Sequence, residues 1–415
     1  MATRLSRVKR RAVPLDPTSQ PLAPLLPAAE LERVEDMSTD TVIAEEQARD
    51  GEPDEAPAVL QRLSFLDRYL PLWIILAMGI GLGLGRGVHG FSHALDSAQV
   101  TRGVSAPIFV GLLAMMYPVL AKVRYGHLDS VRSDRRLLVT SLVLNWVVGP
   151  AVMFGLAWAL LSDQPAYRTG LIIVGLARCI AMVLIWNDLS GGDREAAAVL
   201  VALNSVFQIV AFAGLGWFYL VALPGWLGLQ TSGLHVSVGL IAESVAIFLG
   251  IPLVAGFLTR TIGERAKGRA WYEERFLPKI GPIALYGLLF TIVVLFALQG
   301  REITGHPLDV VRIAAPLLCY FAIMWTGSFA LGRAIGLPYE RTATLAFTAA
   351  GNNFELAIAV AIGTFGATSG EALAGVVGPL IEVPVLVGLV YVSLWARGRL
   401  FSPAKAILTP IERPS

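Results

Sequence analysis

The chain has 415 residues, of which 55% are hydrophobic and only 15% are charged, and its formal net charge at pH 7 is +2. Soluble domains carry about 25% charged residues, so this composition argues against a soluble globular enzyme. The small net charge provides no field that would attract nucleic acid, and two cysteines are too few for a disulfide scaffold or a cysteine-rich metal cluster.

Residues 1–66 differ in composition from the rest of the chain. They begin with basic residues between Arg4 and Arg11, continue with prolines and then carry an acidic run from Glu30 to Glu55. They hold too little apolar surface to offset the entropy of ordering, and no stretch is apolar and long enough for a secretory signal. We therefore predict a disordered cytosolic N-terminal tail, with a regulatory or membrane-surface role of the basic start as the alternative.

From about Tyr69 onward, long apolar runs alternate with short polar breaks. A helix needs about 20 apolar residues to cross about 30 Å of hydrocarbon, and most of these runs approach or exceed that length. The pattern predicts an all-α polytopic membrane protein with ten transmembrane helices. The ten spans lie near residues 69–85, 105–121, 137–161, 171–186, 197–221, 235–258, 281–298, 311–332, 343–366 and 373–396.

Lysine and arginine are distributed unevenly among the connecting segments. With the N-terminus in the cytosol, the segments that lie inside hold eighteen of these residues, whereas the outer loops hold four. Because cytosolic loops carry the excess of basic residues in membrane proteins, both termini are predicted to be cytosolic. Residues 398–415 then form a cytosolic C-terminal tail.

Ten spans permit a division into two five-span halves of opposite orientation, residues 67–230 and 231–397. A weak internal similarity supports this division, because each half contains a span with internal polar residues, then a small-residue loop, then a helix that begins near Glu195 or Glu371. The span at 171–186 is also short. Short or glycine-interrupted spans at matching places in two halves indicate discontinuous helices around a midplane binding site.

Polar side chains inside the spans are costly in lipid and are functional candidates by default. At about 1.5 Å per helical residue, Cys179, Glu355 and Glu382 lie roughly 12, 18 and 14 Å from the faces at which their spans enter. By the same measure, Asn145 and Asn204 lie roughly 12 Å deep. All five fall near the middle of a bilayer about 30 Å thick, so we predict a functional site there.

Arg178 lies beside this predicted site, and an isolated buried charge costs several kcal/mol. Glu355 or Glu382 could supply a partner, either in a structural ion pair or in a pair that tunes a proton-carrying glutamate. The neighbouring cation favours the thiolate of Cys179, a nucleophile and a ligand for soft, thiophilic centres, although a buried cysteine can also be a small apolar filler. Cys319 has no such polar neighbour, and we expect it to serve in packing.

Four segments carry long motifs around these residues. They are RCIAMVLIWNDLSGGDRE at 178–195, ALNS at 202–205, NNFELAIA at 352–359 and GPLIEVP at 378–384. These motifs resemble those of the ten-span arsenical-resistance permeases, which are arsenite exporters within the bile acid/arsenite transporter superfamily. The resemblance extends from the first span to the last and leaves out the N-terminal tail.

The resemblance implies an inverted five-plus-five fold in which spans 4 and 9 are broken and cross near the midplane. It also implies secondary active efflux of trivalent arsenic, and often of antimonite, across the plasma membrane in exchange for protons, which confers arsenic resistance. Cys179 and Glu355 match the signature transport residues of the family, and Glu355 takes the proton-coupling role. The resemblance implies no catalytic residue, cofactor or resident metal. Further pathway positions of the family match Arg178, Glu382, Asn145, Asn204 and Asn353.

Two other functions stay open from the residues themselves. A sodium-coupled symporter of organic anions, as in the bile-acid branch of the superfamily, would use Glu382 and Asn204 in a cation cage and would give Cys179 no role. A membrane-embedded enzyme would need a catalytic dyad or a metal ligand set at membrane depth, where no histidine lies, so no enzymatic activity is expected. Glu243 in span 6 fits a structural hydrogen bond and a place in the pathway equally well.

Overall fold

The computed structural model describes residues 69–88, 90, 99–101, 104–122, 134–180, 182–229, 238–305 and 307–401. The N-terminal tail predicted at 1–66 lies outside the described residues, and so does the C-terminal tail from residue 402 onward. The last helix continues to Leu400, slightly beyond the predicted start of the C-terminal tail at 398.

The described part of the chain consists of helices, numbered α1 to α12 in chain order, and a short antiparallel hairpin of β1 (Gln99–Thr101) and β2 (Val104–Ser105). The hairpin lies between α1 and α2 in the chain. The helices are α1 (Leu70–Gly87), α2 (Ala106–Ala121), α3 (Arg135–Leu160), α4 (Pro165–Leu176), α5 (Met182–Leu189), α6 (Arg194–Trp226), α7 (Val238–Val245 continuing through Ile251–Lys267), α8 (Arg269–Trp271 continuing through Leu277–Gly305), α9 (Pro307–Ala334), α10 (Tyr339–Ala350), α11 (Phe354–Phe365) and α12 (Gly370–Leu400).

Among the described residues, α3, α6, α7 and α8 each contain a five-residue π-helical turn that is followed at the second residue by proline. Proline has no N–H, and its ring clashes with the carbonyl four residues earlier, which lies at the centre of each of these turns. The wider turn relieves that clash while the helix continues. The turns are Leu144–Val148, Phe218–Ala222, Ala246–Gly250 and Tyr272–Phe276, and the prolines are Pro150, Pro224, Pro252 and Pro278.

Six helices of the described part are long and apolar enough to cross a membrane, namely α3, α6, α7, α8, α9 and α12. α1, α2 and α11 are shorter apolar helices. In a bilayer, helices satisfy their backbone polar groups internally, so a chain of this kind can span the hydrocarbon. The architecture is that of an all-α polytopic membrane protein.

Two of the predicted spans are interrupted. In the first, α4 ends at Leu176 and α5 begins at Met182; in the second, α10 ends at Ala350 and α11 begins at Phe354. α4 begins earlier than the hydropathy predicts, at Pro165, because the fixed φ of proline suits the first turn of a helix.

The helices pack in two groups. In the first, α1 and α2 both pack against α8, and α2 also packs against α7. In the second, α9 packs against α3, α10 and α12, while α12 packs against α4 and α11. The interrupted pairs, α4–α5 and α10–α11, lie in the second group, which therefore contains most of the residues predicted to form the site.

Candidate functional site

The two helix interruptions meet in the interior of the protein, where their backbones pair. The N–H of Cys179 donates to the carbonyl of Gly351 at 3.2 Å, and the N–H of Asn353 donates to the carbonyl of Ala177 at 3.0 Å. Backbone polar groups at membrane depth need partners within the protein. Each interruption supplies them to the other, and we call this paired segment the crossing.

The central residues of the crossing, Arg178 and Asn352, lie opposite each other and make equivalent backbone contacts. The N–H of Arg178 donates to Oε1 of Gln208 at 2.8 Å, and the N–H of Asn352 donates to Oε1 of Glu382 at 3.2 Å. Each acceptor lies 30 residues after its donor, on the long helix α6 or α12. The two halves of the chain thus place a polar side chain at the same position relative to their interruptions.

Neutral groups hold the fully buried guanidinium of Arg178. Its Nη1 donates to the hydroxyl of Tyr320 at 2.7 Å and to the carbonyl of Ala349 at 3.4 Å, and its Nη2 donates to the carbonyl of Gly175. Gly175 and Ala349 lie in the last turns of α4 and α10. Carbonyls there lack partners within the helix, and the helix dipole is negative at that end, so Arg178 caps two helices together.

The prediction that Glu355 or Glu382 pairs with Arg178 is wrong. None of the ion pairs found among the described residues involves Arg178. The converging ends of α4 and α10 supply negative potential without the desolvation of a second full charge, which makes buried ion pairs expensive. The two carboxylates are therefore not held by the arginine.

Glu355 lies in the first turn of α11, where the positive end of the helix dipole favours a carboxylate. Asn353 caps this helix, because its Oδ1 accepts a hydrogen bond from the N–H of Leu356 at 3.0 Å. Glu355 lines a cavity of about 500 Å³ between α2, α5, α6 and α8. It also lies within electrostatic reach of Glu382 on α12.

The cavity extends from Glu355 to the helix ends that are predicted to face the cytosol. Its wall is mostly apolar, and its charged lining residues apart from Glu355 are Lys122, Asp188, Arg194 and Glu273. Arg194 pairs with Asp188 at 2.8 Å, and Glu273 pairs with an arginine of α7 at 2.9 Å. Acidic and basic groups are therefore balanced at the predicted cytosolic end of the cavity.

Cys179 is buried at the crossing, with 4% of its surface exposed. It directly precedes Ile180, which lines the cavity, but it is not itself one of the lining residues. A Cβ on Gly351 would stand 3.0 Å from the Cβ of Cys179 and 3.7 Å from its Sγ. Glycine at this position lets the two backbones approach and leaves backbone, not a side chain, beside the thiol.

Asn145 and Asn204 lie one helical turn away from the crossing. Asn204 precedes Gln208 by one turn of α6, and Asn145 precedes Gly149, which lies beside the guanidinium of Arg178, by one turn of α3. An indole N–H of α3 donates to Oδ1 of Asn204 at 3.2 Å. The two amides therefore form a polar layer next to the crossing.

The part of the chain that forms this site is similar to known transporters. A model of the Sodium Bile acid symporter family matches residues 109–306. The Arsenical-resistance protein Acr3 of Corynebacterium glutamicum is 61% identical over 340 residues, which cover 82% of this chain and 92% of that protein. This chain belongs to the arsenical-resistance permease family.

The permease is also similar to two more distant proteins. The Arsenical-resistance protein Acr3 of Alkaliphilus metalliredigens is 31% identical over 341 residues, or 80% of this chain and 93% of that protein. An uncharacterized transporter of Synechocystis sp. is 37% identical over 347 residues, or 79% of this chain and 88% of that protein. The family resemblance drawn from the motifs is thereby confirmed.

Several buried polar atoms around the crossing of the permease have no hydrogen-bond partner among the described residues. Buried polar groups are normally satisfied, so this cluster suits a small ligand or waters that both donate and accept hydrogen bonds. The donors are Nε of Arg178, Nδ2 of Asn204, Nδ2 of Asn353 and Nε2 of Gln208, and the acceptors are Oδ1 of Asn145 and Oδ1 of Asn352.

Tyr320, Gln208 and Asn352 belong to the site of the permease but were not predicted as site residues. Tyr320 is fully buried in α9, and its hydroxyl in the middle of an apolar span was the available signal, because a buried tyrosine hydroxyl needs a partner. Gln208 follows Asn204 by four residues and so shares its helix face. Only the spatial pairing of the two interruptions identifies which partner each side chain takes.

Cys319 and Glu243 lie outside the site of the permease. Cys319 is exposed on α9, so the expectation that it packs inside the protein is wrong. A small thiol costs little on a surface that faces lipid. Glu243 is exposed on α7 and lies away from the cavity lining. Both residues therefore provide matched controls for substitutions within the site.

Substituting Gly149 should destabilise the permease. A Cβ at this position would stand 2.7 Å from Nη1 of Arg178 and 3.1 Å from the hydroxyl of Tyr320. We expect Gly149→Ala to cost about 1–3 kcal/mol by overpacking, measured as a lower thermal unfolding midpoint in detergent. Gly155→Ala is the control, because a Cβ there meets nothing within 4 Å on the same helix. Equal unfolding midpoints for the two variants would contradict this packing.

Proposed function

We propose that this permease exports arsenite from the cytosol across the plasma membrane in exchange for protons, and so confers arsenic resistance, with antimonite as a second substrate. The observation that carries the proposal is the position of Glu355, a carboxylate in a cavity that extends to the predicted cytosolic face. Two relatives named as arsenical-resistance proteins support the substrate class.

The polar groups of the site suit the chemistry of arsenite. At neutral pH, arsenite is mainly an uncharged trihydroxide, which calls for hydrogen bonds and a soft ligand and not for a counter-charge. The amides of Asn204 and Asn353 each have a buried donor with no partner among the described residues. In the bound state, these donors and the Glu355 carboxylate contact the hydroxyls, and the sulfur of Cys179 contacts arsenic.

The thiol contact follows access to the cavity as a separate step. Ile180 lines the cavity and Cys179 lies directly beside it at the crossing. A shift of the crossing backbone would bring the sulfur to the substrate. One thiolate alone holds a soft centre weakly, which suits release on the far side.

Proton exchange follows from competition for Glu355. The ionised carboxylate accepts hydrogen bonds from the arsenite hydroxyls, and a proton taken up from outside displaces them. The neutral carboxyl then costs less to carry through the return movement, because a charge at membrane depth is expensive. Competition of proton and substrate for one group is sufficient for antiport.

Alternating access in this proposal is a rocking of one helix group against the other. The cavity lies between α2 and α8 on one side and α5, α6 and α11 on the other, so relative movement of these helices would close it. The equivalent contacts of Gln208 and Glu382, each 30 residues after its donor, support ten spans in two inverted repeats, 67–230 and 231–397. Both termini are then cytosolic.

An arsenite-sensitive, exporter-deleted bacterium that expresses the permease should contain less arsenic and tolerate more arsenite than cells with an empty vector. Cys179→Ser should lose this protection, because a hydroxyl is a poor ligand for a soft centre. Cys319→Ser removes the exposed cysteine and should retain it. Cellular arsenic is the measurement, and unchanged arsenic in cells with the unaltered permease would overturn the proposal.

Sodium-coupled uptake of an organic anion is the second candidate, because the family model that matches residues 109–306 is that of sodium bile acid symporters. Everted membrane vesicles separate the two functions. Arsenite uptake should respond to a pH gradient and not to a sodium gradient. Sodium-dependent transport of an organic anion, together with no transport of arsenite, would favour the second candidate.

A further inference from the structure

A groove at the start of α3 contains two arginines. It has a volume of about 530 Å³ and is lined by Arg135, Arg136, Val139, Thr140 and Ile335. Both arginines are exposed, and neither side chain takes part in an ion pair found among the described residues. We call this surface the α3 groove.

The two arginines occupy the first two positions of α3, where the helix dipole disfavours cations. The acidic residue that could offset them, Asp134, is already engaged. Its Oδ1 accepts the N–H of Leu137 at 3.1 Å, and its Oδ2 pairs with Arg341 at 2.7 Å. The start of α3 therefore presents an excess of positive charge that an anion in the groove would neutralise.

The rest of the α3 groove is apolar in the way a lipid requires. Val139 is 60% exposed one turn beyond Arg135, and Ile335 follows directly after the end of α9. Thr140 adds a hydroxyl between the charged and the apolar part. A soluble anion would make no use of the apolar residues, whereas a phospholipid would place its phosphate on the arginines and its first methylene groups on the apolar surface.

We propose that the α3 groove binds an anionic phospholipid of the cytosolic leaflet, with its phosphate held by Arg135 and Arg136. Arginine forms paired hydrogen bonds with phosphate, and basic pockets between transmembrane helices on the cytosolic side recognise anionic headgroups. The distribution of lysine and arginine places the start of α3 on that side. The site is separate from the crossing, so the proposal does not depend on which solute the permease carries.

The test uses the full-length permease in nanodiscs of equimolar phosphatidylcholine and phosphatidylglycerol. Native mass spectrometry counts the phosphatidylglycerol retained, and a fluorescent phosphatidylglycerol reports affinity. The Arg135→Gln, Arg136→Gln double variant should bind about 30-fold more weakly, because two basic groups near an anionic lipid are removed. The Arg135→Lys, Arg136→Lys double variant should bind with intermediate affinity.

The matched control is the Arg265→Gln, Arg275→Gln double variant, which removes two exposed arginines of the same predicted face. It should retain phosphatidylglycerol as the unaltered permease does. Unfolding in pure phosphatidylcholine shows whether each variant is folded. Should the glutamine double variant fail to fold, Val139→Glu, which adds an acid at an exposed position, must weaken binding.

Three results would overturn the proposal. The first is undiminished retention of phosphatidylglycerol by the glutamine double variant, and the second is an equal loss in the control. The third is competition by glycerol 1-phosphate as effective as that by phosphatidylglycerol vesicles, because it would assign the groove to a soluble anion.

Discussion

Replacing Glu355 by glutamine should abolish proton-driven arsenite uptake into everted vesicles. The amide cannot exchange a proton in this pH range, and it replaces charge-assisted hydrogen bonds to the substrate, each worth about 1.5–3 kcal/mol, by weaker neutral ones. Residual arsenite binding should therefore fall by about 10- to 100-fold, and the dependence of transport on a pH gradient should disappear. Glu355 lines the cavity, so the substitution alters the pathway directly.

Glu243→Gln is the control for this experiment. It makes the same chemical change at another glutamate of the spans, but Glu243 is exposed on α7 and does not line the cavity. We expect it to retain both the rate and its pH-gradient dependence. Transport by Glu355→Gln at the unaltered rate would show that the carboxylate does not couple protons to arsenite, and the proposed mechanism would fail.

Replacing Arg178 by alanine should destabilise the protein more than any other single change at the site. Three buried acceptors would lose their donor, namely the hydroxyl of Tyr320 and the carbonyls of Gly175 and Ala349. Each buried group left unsatisfied costs about 1–3 kcal/mol, so a total of about 3–5 kcal/mol is expected. The thermal unfolding midpoint, followed by tryptophan fluorescence in detergent, should fall strongly.

Two further variants distinguish capping from charge alone at Arg178. Arg178→Lys keeps the charge, but its single ammonium group cannot reach acceptors on both helix ends in the planar geometry of a guanidinium, so its unfolding midpoint should be intermediate. Arg399→Gln removes an exposed arginine near the end of α12 and should leave the midpoint unchanged. An unaltered midpoint for Arg178→Ala would show that the guanidinium does not hold α4 and α10 together.

Much of the architecture could be predicted because membrane helices are encoded locally. A run of apolar residues specifies a helix wherever it lies in the chain, since lipid leaves the backbone no other partner. The family motifs likewise name Cys179, Glu355 and Glu382 without any structure. The π-helical turns could have been anticipated too, because each precedes a proline such as Pro150 by a fixed spacing.

The partners of Arg178 could not be predicted in this way. Burial of a charge led to the expectation of a carboxylate, but the structure brings the carbonyl ends of α4 and α10 to the same point. Those carbonyls are invisible in a sequence, because every residue has one and only the end of a helix leaves it unpaired. Tyr320 comes from a distant span and contributes only through the packing of α9.

The sequence by itself determined that this protein is a helical membrane transporter of the arsenical-resistance family and which polar residues lie at membrane depth, because hydropathy and local motifs are properties of short segments. Tertiary structure decided how those residues are connected. The pairing of the interruptions, the neutral cap on Arg178, the cavity at Glu355 and the α3 groove all arise from contacts between segments far apart in the chain. Such contacts depend on how helices pack, and no single segment carries that information.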